Sequence, residues 1–460
     1  MPVPATMLQI LERNNIPYAL TPDEPSHAPN YSVCHVRAQL LADQHGRIQV
    51  LLPQHDLLDL ELLGQELGRT LNPLNTAELS ALLHKHNLQS IPAMPAWQGL
   101  TTMVDLNILR YDSVCLNPGD QSEPVYLRRA DFQALVRESN LCKLSSATKN
   151  ISNEARQDEK QILHSVNAFT QRRIQQRLHE TLEIPPLQDT ASKIIRLRAD
   201  PNADISDLAK IIEFDPSLAA QVVSWAASPY YSAPGKIKSV QDAIVRVLGF
   251  DMVINLSLGL SLGRSFNPNV INPTQTRAYW TKSVFMAAAI EALVTSIPRI
   301  NRPAFGMSYL VGLLHNFGYL ILAEVFPPHF QNINRHQDAN PQLPPCVIEQ
   351  HIIGVANCQI AAWLLEYWNL PAEVYTGIRQ QYNPDYQDEH ATYARLAYVA
   401  NHLLRQHGAD PALANAGPAE DLPQELFDSL CLSREAADEA ILNLLKSADD
   451  LKSLARALEG

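Results

Sequence analysis

The chain has 460 residues, of which 46% are hydrophobic and 18% charged; this suits a folded globular protein of two or three domains and excludes a disordered or fibrous chain. Its 36 basic and 48 acidic side chains leave a net charge of −12, which argues against broad affinity for nucleic acid or an anionic membrane. Six dispersed cysteines (Cys34, Cys115, Cys142, Cys346, Cys358, Cys431) with no C-x-x-C pair fit reduced thiols rather than a disulfide framework or a zinc site.

The first residues, MPVPATMLQILERNN, reach Glu12 and Arg13 too early for a secretory apolar segment. The internal apolar run Val253 to Leu262 carries Asn255, Ser257 and Ser261 and falls well short of the roughly twenty residues of a membrane span. A cytoplasmic protein without membrane insertion is expected.

Residues 1–140 alternate between strand and helix signals. Val33 to Leu41 and Ile48 to Leu52 flank the turn Asp43-Gln44-His45-Gly46 and predict a hairpin. Leucine-rich helical patterns follow at 56–68 and 76–87, the second opened by Asn75 with Glu78 three residues later. Strand-like pieces lie at 101–107, 111–116 and 124–127. An α+β domain is the economical reading.

The runs LQILERNNIPYAL, VRAQLLADQHGRIQVLLP and DLLDLELLGQELG resemble the aminoacyl-tRNA editing domains of the YbaK type, found with prolyl-tRNA synthetase. The resemblance implies deacylation or sensing of aminoacyl-tRNA. Two positions depart from it: Arg37 stands where the family has a pocket lysine, and QSIPAMPAWQG lacks the glycine run of the substrate loop. The departures point to a degenerate domain that regulates or binds, with Arg37 as its candidate pocket residue.

Residues 143–183 form a connecting segment. Ile162, Val166, Phe169, Ile174, Leu178 and Leu182 recur at helical spacing and predict one amphipathic helix. Pro185 and Pro186 end it. From 184 to 402 nearly everything reads as helix. Asp204 with Asp207, Ser239 with Asp242, and Asp215 before Pro216 are helix-start signals. Neither G-x-x-x-x-G-K nor G-x-G-x-x-G occurs, so no cofactor is expected. In the tail, 403–460, Ser433 is expected to cap a last helix whose Ile441, Leu444, Leu445, Leu451, Leu454 and Leu458 make one apolar face docked on the same chain.

Residues 312–322, GLLHNFGYLIL, resemble the G-L-L-H-D-x-G-K helix of HD-type phosphohydrolases, whose His-Asp pair holds metal. Carrying that family's ligand positions over, the first histidine falls on Lys282, the His-Asp pair on His315-Asn316, and the next histidine on Asn357. A His-His pair falls on Gln380-Gln381 and the last aspartate on Asn401. Only His315 keeps a metal-binding side chain, and a carboxamide is a far poorer ligand than a carboxylate. The long run from IPPLQDTASKIIRLRADP to AIVRVLGF, with GVANCQIAAWLLEYWNLP at 354–371, is similar to the HDOD family, a noncatalytic offshoot of HD enzymes in bacterial signalling.

The fold class is therefore a multidomain chain: an N-terminal α+β domain (1–140), the connecting helix (143–183), a mostly all-α HDOD domain (184–402) and a helical tail (403–460). The resemblance implies a regulatory protein that binds a protein partner or a small regulatory ligand without metal. The alternatives are aminoacyl-tRNA deacylation or tRNA sensing by the first domain, and a metal-dependent phosphohydrolase or cyclic-dinucleotide phosphodiesterase. Trp363, Tyr367, Trp368 and Tyr382 are candidates to flank a ligand pocket, although aromatics at helical spacing are more often core.

Overall fold

The computed structural model describes residues 4–21, 31–148, 157–174, 188–231, 235–264, 273–409 and 421–458. Two compact units divide them: the first draws on residues 1–150 and 331–351, the second on 151–330, 352–410 and 419–460.

The first unit is α+β. Its strands are β1 (Val33–Asp43), β2 (Gly46–Pro53), β3 (Leu57–Leu58), β4 (Asn72–Pro73), β5 (Thr101–Asp105), β6 (Ser113–Leu116), β7 (Val125–Arg128), β8 (Asn140–Cys142) and β9 (Ser145–Ser146). Four helices, α1 (Ala5–Arg13), α2 (Leu60–Leu67), α3 (Thr76–His86) and α4 (Arg129–Leu135), accompany them. The expected hairpin is β1–β2, closed at Asp43 opposite Gly46. Gly46 takes φ +126, open to a residue without Cβ, and the Asp43 carboxylate accepts the His45 N–H at 2.8 Å. The sheet runs β7-β6-β1-β2-β5-β8, with β4 also paired to β1. From Ile48 to Pro53, β2 is buried on both faces. Leu41, Ile48, Val50 and Leu52 pack with Leu60, Leu63 and Ala339, while Val36 and Leu51 join Val104, Val114 and Phe132 in a separate cluster.

Two features of this unit correct the expected boundary at 140. First, β8 pairs with β5 and β9 with β3. The wholly buried Asp105 holds this connection by accepting the Leu144 and Ser145 N–H groups at 2.6 Å each. Second, residues 331–351, placed by sequence inside the helical domain, belong to this unit. Asn340, 0% exposed, meets β3 as a neighbouring strand would. Its Nδ2 donates to Leu58 O at 3.0 Å, and its Oδ1 accepts the Leu58 N–H at 2.7 Å. His336 Nε2 accepts the Leu60 N–H at 3.2 Å while Nδ1 lies 2.9 Å from Asn332 O. That pattern needs a neutral ring protonated on Nδ1, and burial favours the neutral form by lowering the imidazole pKa.

The second unit is helical: α5 (Asp158–Ile174), α6 (Asp189–Ala199), α7 (Ile205–Glu213), α8 (Pro216–Ala226), α9 (Val240–Ala243), α10 (Phe250–Gly263), α11 (Pro273–Ser296), α12 (Phe305–Leu314) and α13 (Phe317–Val325). After α14 (Pro327–Ala339) and α15 (Pro345–Ile353), which lie mostly in the first unit, come α16 (Asn357–Tyr367), α17 (Ala372–Arg379), α18 (Ala391–Gln406), α19 (Gln424–Asp428), α20 (Arg434–Leu445) and α21 (Ala448–Ala457). An all-α description thus holds for this unit and fails for the chain. The side chains of Asp204, Asp215 and Ser239 each accept backbone N–H groups at the helix starts where sequence placed them. The connecting helix is described to Ile174, with Ile162 and Val166 buried. The side chains of Phe169 and Ile174, and residues Leu178, Leu182, Pro185 and Pro186, lie outside the described residues. In the tail, Ser433 caps α20 rather than the last helix, and the expected single apolar face is split between α20 and α21, both packed on α11.

Among the described residues, Phe305–Val325, not Val253–Leu262, is the stretch long and apolar enough to cross a membrane by composition, with mean hydropathy 1.3. It breaks at His315-Asn316 between α12 and α13, and 78% of its apolar window is buried within the protein. Burial of this kind also accounts for such a composition.

Glu291, on α11, is an ionisable group inside this unit. Tyr230, Tyr231 and Tyr309 lie within electrostatic reach of it. Its Oε2 has no hydrogen-bond partner among the described residues, and burial raises its carboxyl from 4.5 to about 7. The folded state therefore binds this proton more tightly than the unfolded chain. Stability is greatest below pH 4.5 for this group and declines as pH rises through about 7. The loss amounts to roughly 3 kcal/mol. Glu291→Gln is expected to flatten that slope and to stabilise the protein at pH 8, measured by urea unfolding at pH 5 and pH 8.

Candidate functional site

Two of the positions carried over from the HD motif, His315 and Asn316, lie where α12 stops. Leu314 ends the helix, His315 follows in helical conformation, and Asn316 precedes α13. His315 Nδ1 lies 2.7 Å from Gly312 O, so the ring donates from Nδ1 to the preceding turn. Close backbone approach explains two glycines of GLLHNFG. A Cβ on Gly312 would lie 2.6 Å from the Cα of Ala287, on α11. A Cβ on Gly318 would overlap the carbonyl of Asn357, the first residue of α16. The second contact brings the turn after His315 against the start of α16.

Gln381 completes the approach from α17. Buried at 2% exposure, it donates its amide to His315 O at 2.8 Å and to Ile378 O at 3.1 Å. Gln380 is also buried and accepts from the Asn383 amide at 3.2 Å. Asn357 is buried. Lys282 on α11, His315, Asn316 and Asn401 on α18 are half-buried. The structure thus joins His315 to Gln381 directly and sets Asn357 against the same turn. The helices bearing the remaining positions pack together, α11 on α12 and α18, and α12 on α17.

Among the described residues, no three His, Cys, Asp or Glu side chains converge as a metal-ligand set. The seven positions offer one imidazole, five carboxamides and an ammonium, a donor set that does not fit the metal centre of HD phosphohydrolases.

Sequence reasoning missed the charged core beside this turn. Asp158, at the start of α5, and Arg379, at the end of α17, have side chains 5% exposed each and form a two-pronged ion pair. Arg379 Nη2 donates to Asp158 Oδ1 at 2.8 Å, Arg379 Nε donates to Oδ2, and Gln359 of α16 donates to Oδ1 at 2.7 Å. Gln359 Oε1 in turn accepts the Ala356 N–H at 2.9 Å. The connecting helix is therefore fastened to the two helices that carry Asn357 and Gln380-Gln381. The partners are 221 residues apart, and no local pattern announces them.

Arg37, the candidate pocket residue of the first unit, lies on β1 opposite Leu52. Its guanidinium is already engaged: Nη2 donates to Asn340 Oδ1 at 2.7 Å and Nη1 to Ala339 O at 3.2 Å. Nε has no hydrogen-bond partner among the described residues. Burial lowers its pKa to about 9, opposed by nearby Asp56.

The HDOD domain family matches residues 184–384. A solved structure from Marinobacter aquaeolei VT8, provisionally described as a signal transduction protein, is 38% identical, covers 100% of both chains and superposes with a TM-score of 0.87. The chain belongs to the HDOD-domain proteins. It is also 23% identical over 280 residues to an uncharacterized protein of Treponema pallidum (strain Nichols), covering 59% of this chain and 51% of that one. It thus spans about half the length of that curated relative. A structure provisionally described as a trans-editing enzyme for prolyl tRNA synthetase matches 32% of this chain and 85% of its own, at 16% identity and a TM-score of 0.21.

Proposed function

We propose that this chain is a cytoplasmic regulatory protein of bacterial signal transduction whose HDOD domain works as a metal-free module, binding another protein or a small regulatory ligand. The observation that carries this reading is the chemistry of the seven HD positions. A dication about 4 Å from a charged Lys282 is repelled by roughly 8 kcal/mol at an effective dielectric near 20. In this reading Lys282, His315, Asn316, Asn357, Gln381 and Asn401 form a hydrogen-bonded cluster in which the ammonium takes the place of a metal. Amide oxygens accept from it, so the charge is not stranded.

The connecting helix supplies the proposed route for a signal. Displacing α5 removes Asp158 from Arg379, loosens the end of α17 and weakens the bond from Gln381 to His315. A partner that binds the displaced state more tightly shifts the population towards it. The reading in which residues 1–140 deacylate aminoacyl-tRNA is weaker, because Arg37 is engaged by residues of its own unit.

Incubation of the purified chain with manganese and cyclic dinucleotides tests the choice between module and enzyme. No linear dinucleotide is expected above the level of a protein-free control. Turnover abolished by chelation would establish the phosphodiesterase instead.

A further inference from the structure

The second unit contains a cavity of about 570 Å³ whose lining includes Ser192, Arg196 and Arg198 of α6, Leu258 of α10, and Trp368 and Asn369 after α16. Its lining includes none of the seven HD positions. The volume lies within the range of small-molecule sites. Two features of the lining point to the charge of the occupant. Arg198 donates from Nη1 to Asn255 Oδ1 at 2.7 Å and sets Nη2 against the Met307 sulfur. Glu373 and Asp251 act on it electrostatically, but it forms no ion pair with a carboxylate among the described residues. Arg196 is exposed and has no ion-pair partner among the described residues. Two guanidiniums in the lining, neither in an ion pair with a carboxylate among the described residues, favour an anion.

The apolar part of the lining specifies the rest of the ligand. Trp368 is 6% exposed, with one edge of its ring against Phe317 at a centroid distance of 6.0 Å. Its indole N–H has no acceptor among the described residues and is not one of their buried unpartnered atoms, so it is open to a ligand or to water. Leu258 adds aliphatic surface, and Asn369, held at φ +59, brings an exposed carboxamide to the lining. A bare inorganic ion would leave this part without contacts.

We propose that the cavity binds a small aromatic anion of nucleoside monophosphate size, with its phosphate on Arg196 and Arg198 and its flat body against Trp368 and Leu258. The site is separate from the HD positions, so binding here is readable whether or not those positions hold metal.

Isothermal titration of the full chain with the four common nucleoside monophosphates tests the proposal, with adenosine and inorganic phosphate as controls. At least one monophosphate is expected to bind with Kd below about 1 mM, and both controls roughly tenfold or more weakly. Arg196→Ala, at an exposed position, and Ala199→Trp, which fills the cavity, are each expected to weaken binding roughly tenfold. Both should leave the circular dichroism spectrum and Tm unchanged. Failure of all four to bind, phosphate binding as tightly as the nucleotide, or binding indifferent to both substitutions would each overturn the assignment. If either variant proves unfolded, quenching of tryptophan fluorescence by the nucleotide gives the deciding readout: it is expected in the wild-type chain and lost in Trp368→Phe, and quenching equal in the two would overturn the assignment.

Discussion

Asp158→Ala is expected to destabilise the helical unit by roughly 3–5 kcal/mol, because it leaves a guanidinium charged, buried and without its counter-ion. The side chains of Asp158 and Arg379 are 5% exposed each, and Gln359 joins them through a third hydrogen bond. Removing one partner therefore also costs the amide its acceptor. The paired replacement Asp158→Leu with Arg379→Met should recover much of the loss, since an apolar pair of similar volume carries no desolvation penalty. Tryptophan fluorescence during urea unfolding measures this well, because Trp225, Trp280, Trp363 and Trp368 lie in the second unit and only Trp97 in the first. A loss under about 1 kcal/mol for Asp158→Ala would show the pair to be hydrated in solution. It would also remove the proposed route from α5 to His315.

Gly318→Ala is expected to cost about 3 kcal/mol or more, although it adds only one methyl group. The added carbon would overlap the Asn357 carbonyl, so backbone must move against backbone and no side chain can yield in its place. Alanine otherwise favours a helix over glycine by about 1 kcal/mol, so a net loss isolates the steric term. Gly64→Ala in α2 serves as the control. The nearest atom there is Arg69 O at 3.4 Å, and the expected change is neutral or slightly stabilising, read by circular dichroism. Equal behaviour of the two variants would contradict the close packing of the His315 turn on α16.

Local chemistry explains which parts of this structure were legible in the sequence. The β1–β2 hairpin was written in Asp43 to Gly46, and the starts of α3, α7, α8 and α9 in Asn75, Asp204, Asp215 and Ser239. In each case a side chain satisfies a backbone group two or three residues away. What stayed hidden depends on partners far along the chain. Asn340 completes β3 across 282 residues, and Asp158 meets Arg379 only once α5, α16 and α17 are in place. Arg198 was equally silent, since α6 reads as an ordinary amphipathic helix with basic residues in its last turn, whereas Trp368 was already a candidate to flank a pocket and does line one. Long-range polar pairing leaves no periodicity to detect.

The metal content of the purified full chain tests the central claim most directly. After dialysis against manganese and ferrous iron and then against metal-free buffer, inductively coupled plasma mass spectrometry should find far less than one ion per chain. Lys282→His with Asn316→Asp, which returns two of the lost ligands, should raise retention if any metal is to enter at this turn. A stoichiometric transition ion firmly held by the wild-type chain, and lost on His315→Ala, would contradict a site in which an ammonium and amides stand in place of metal ligands.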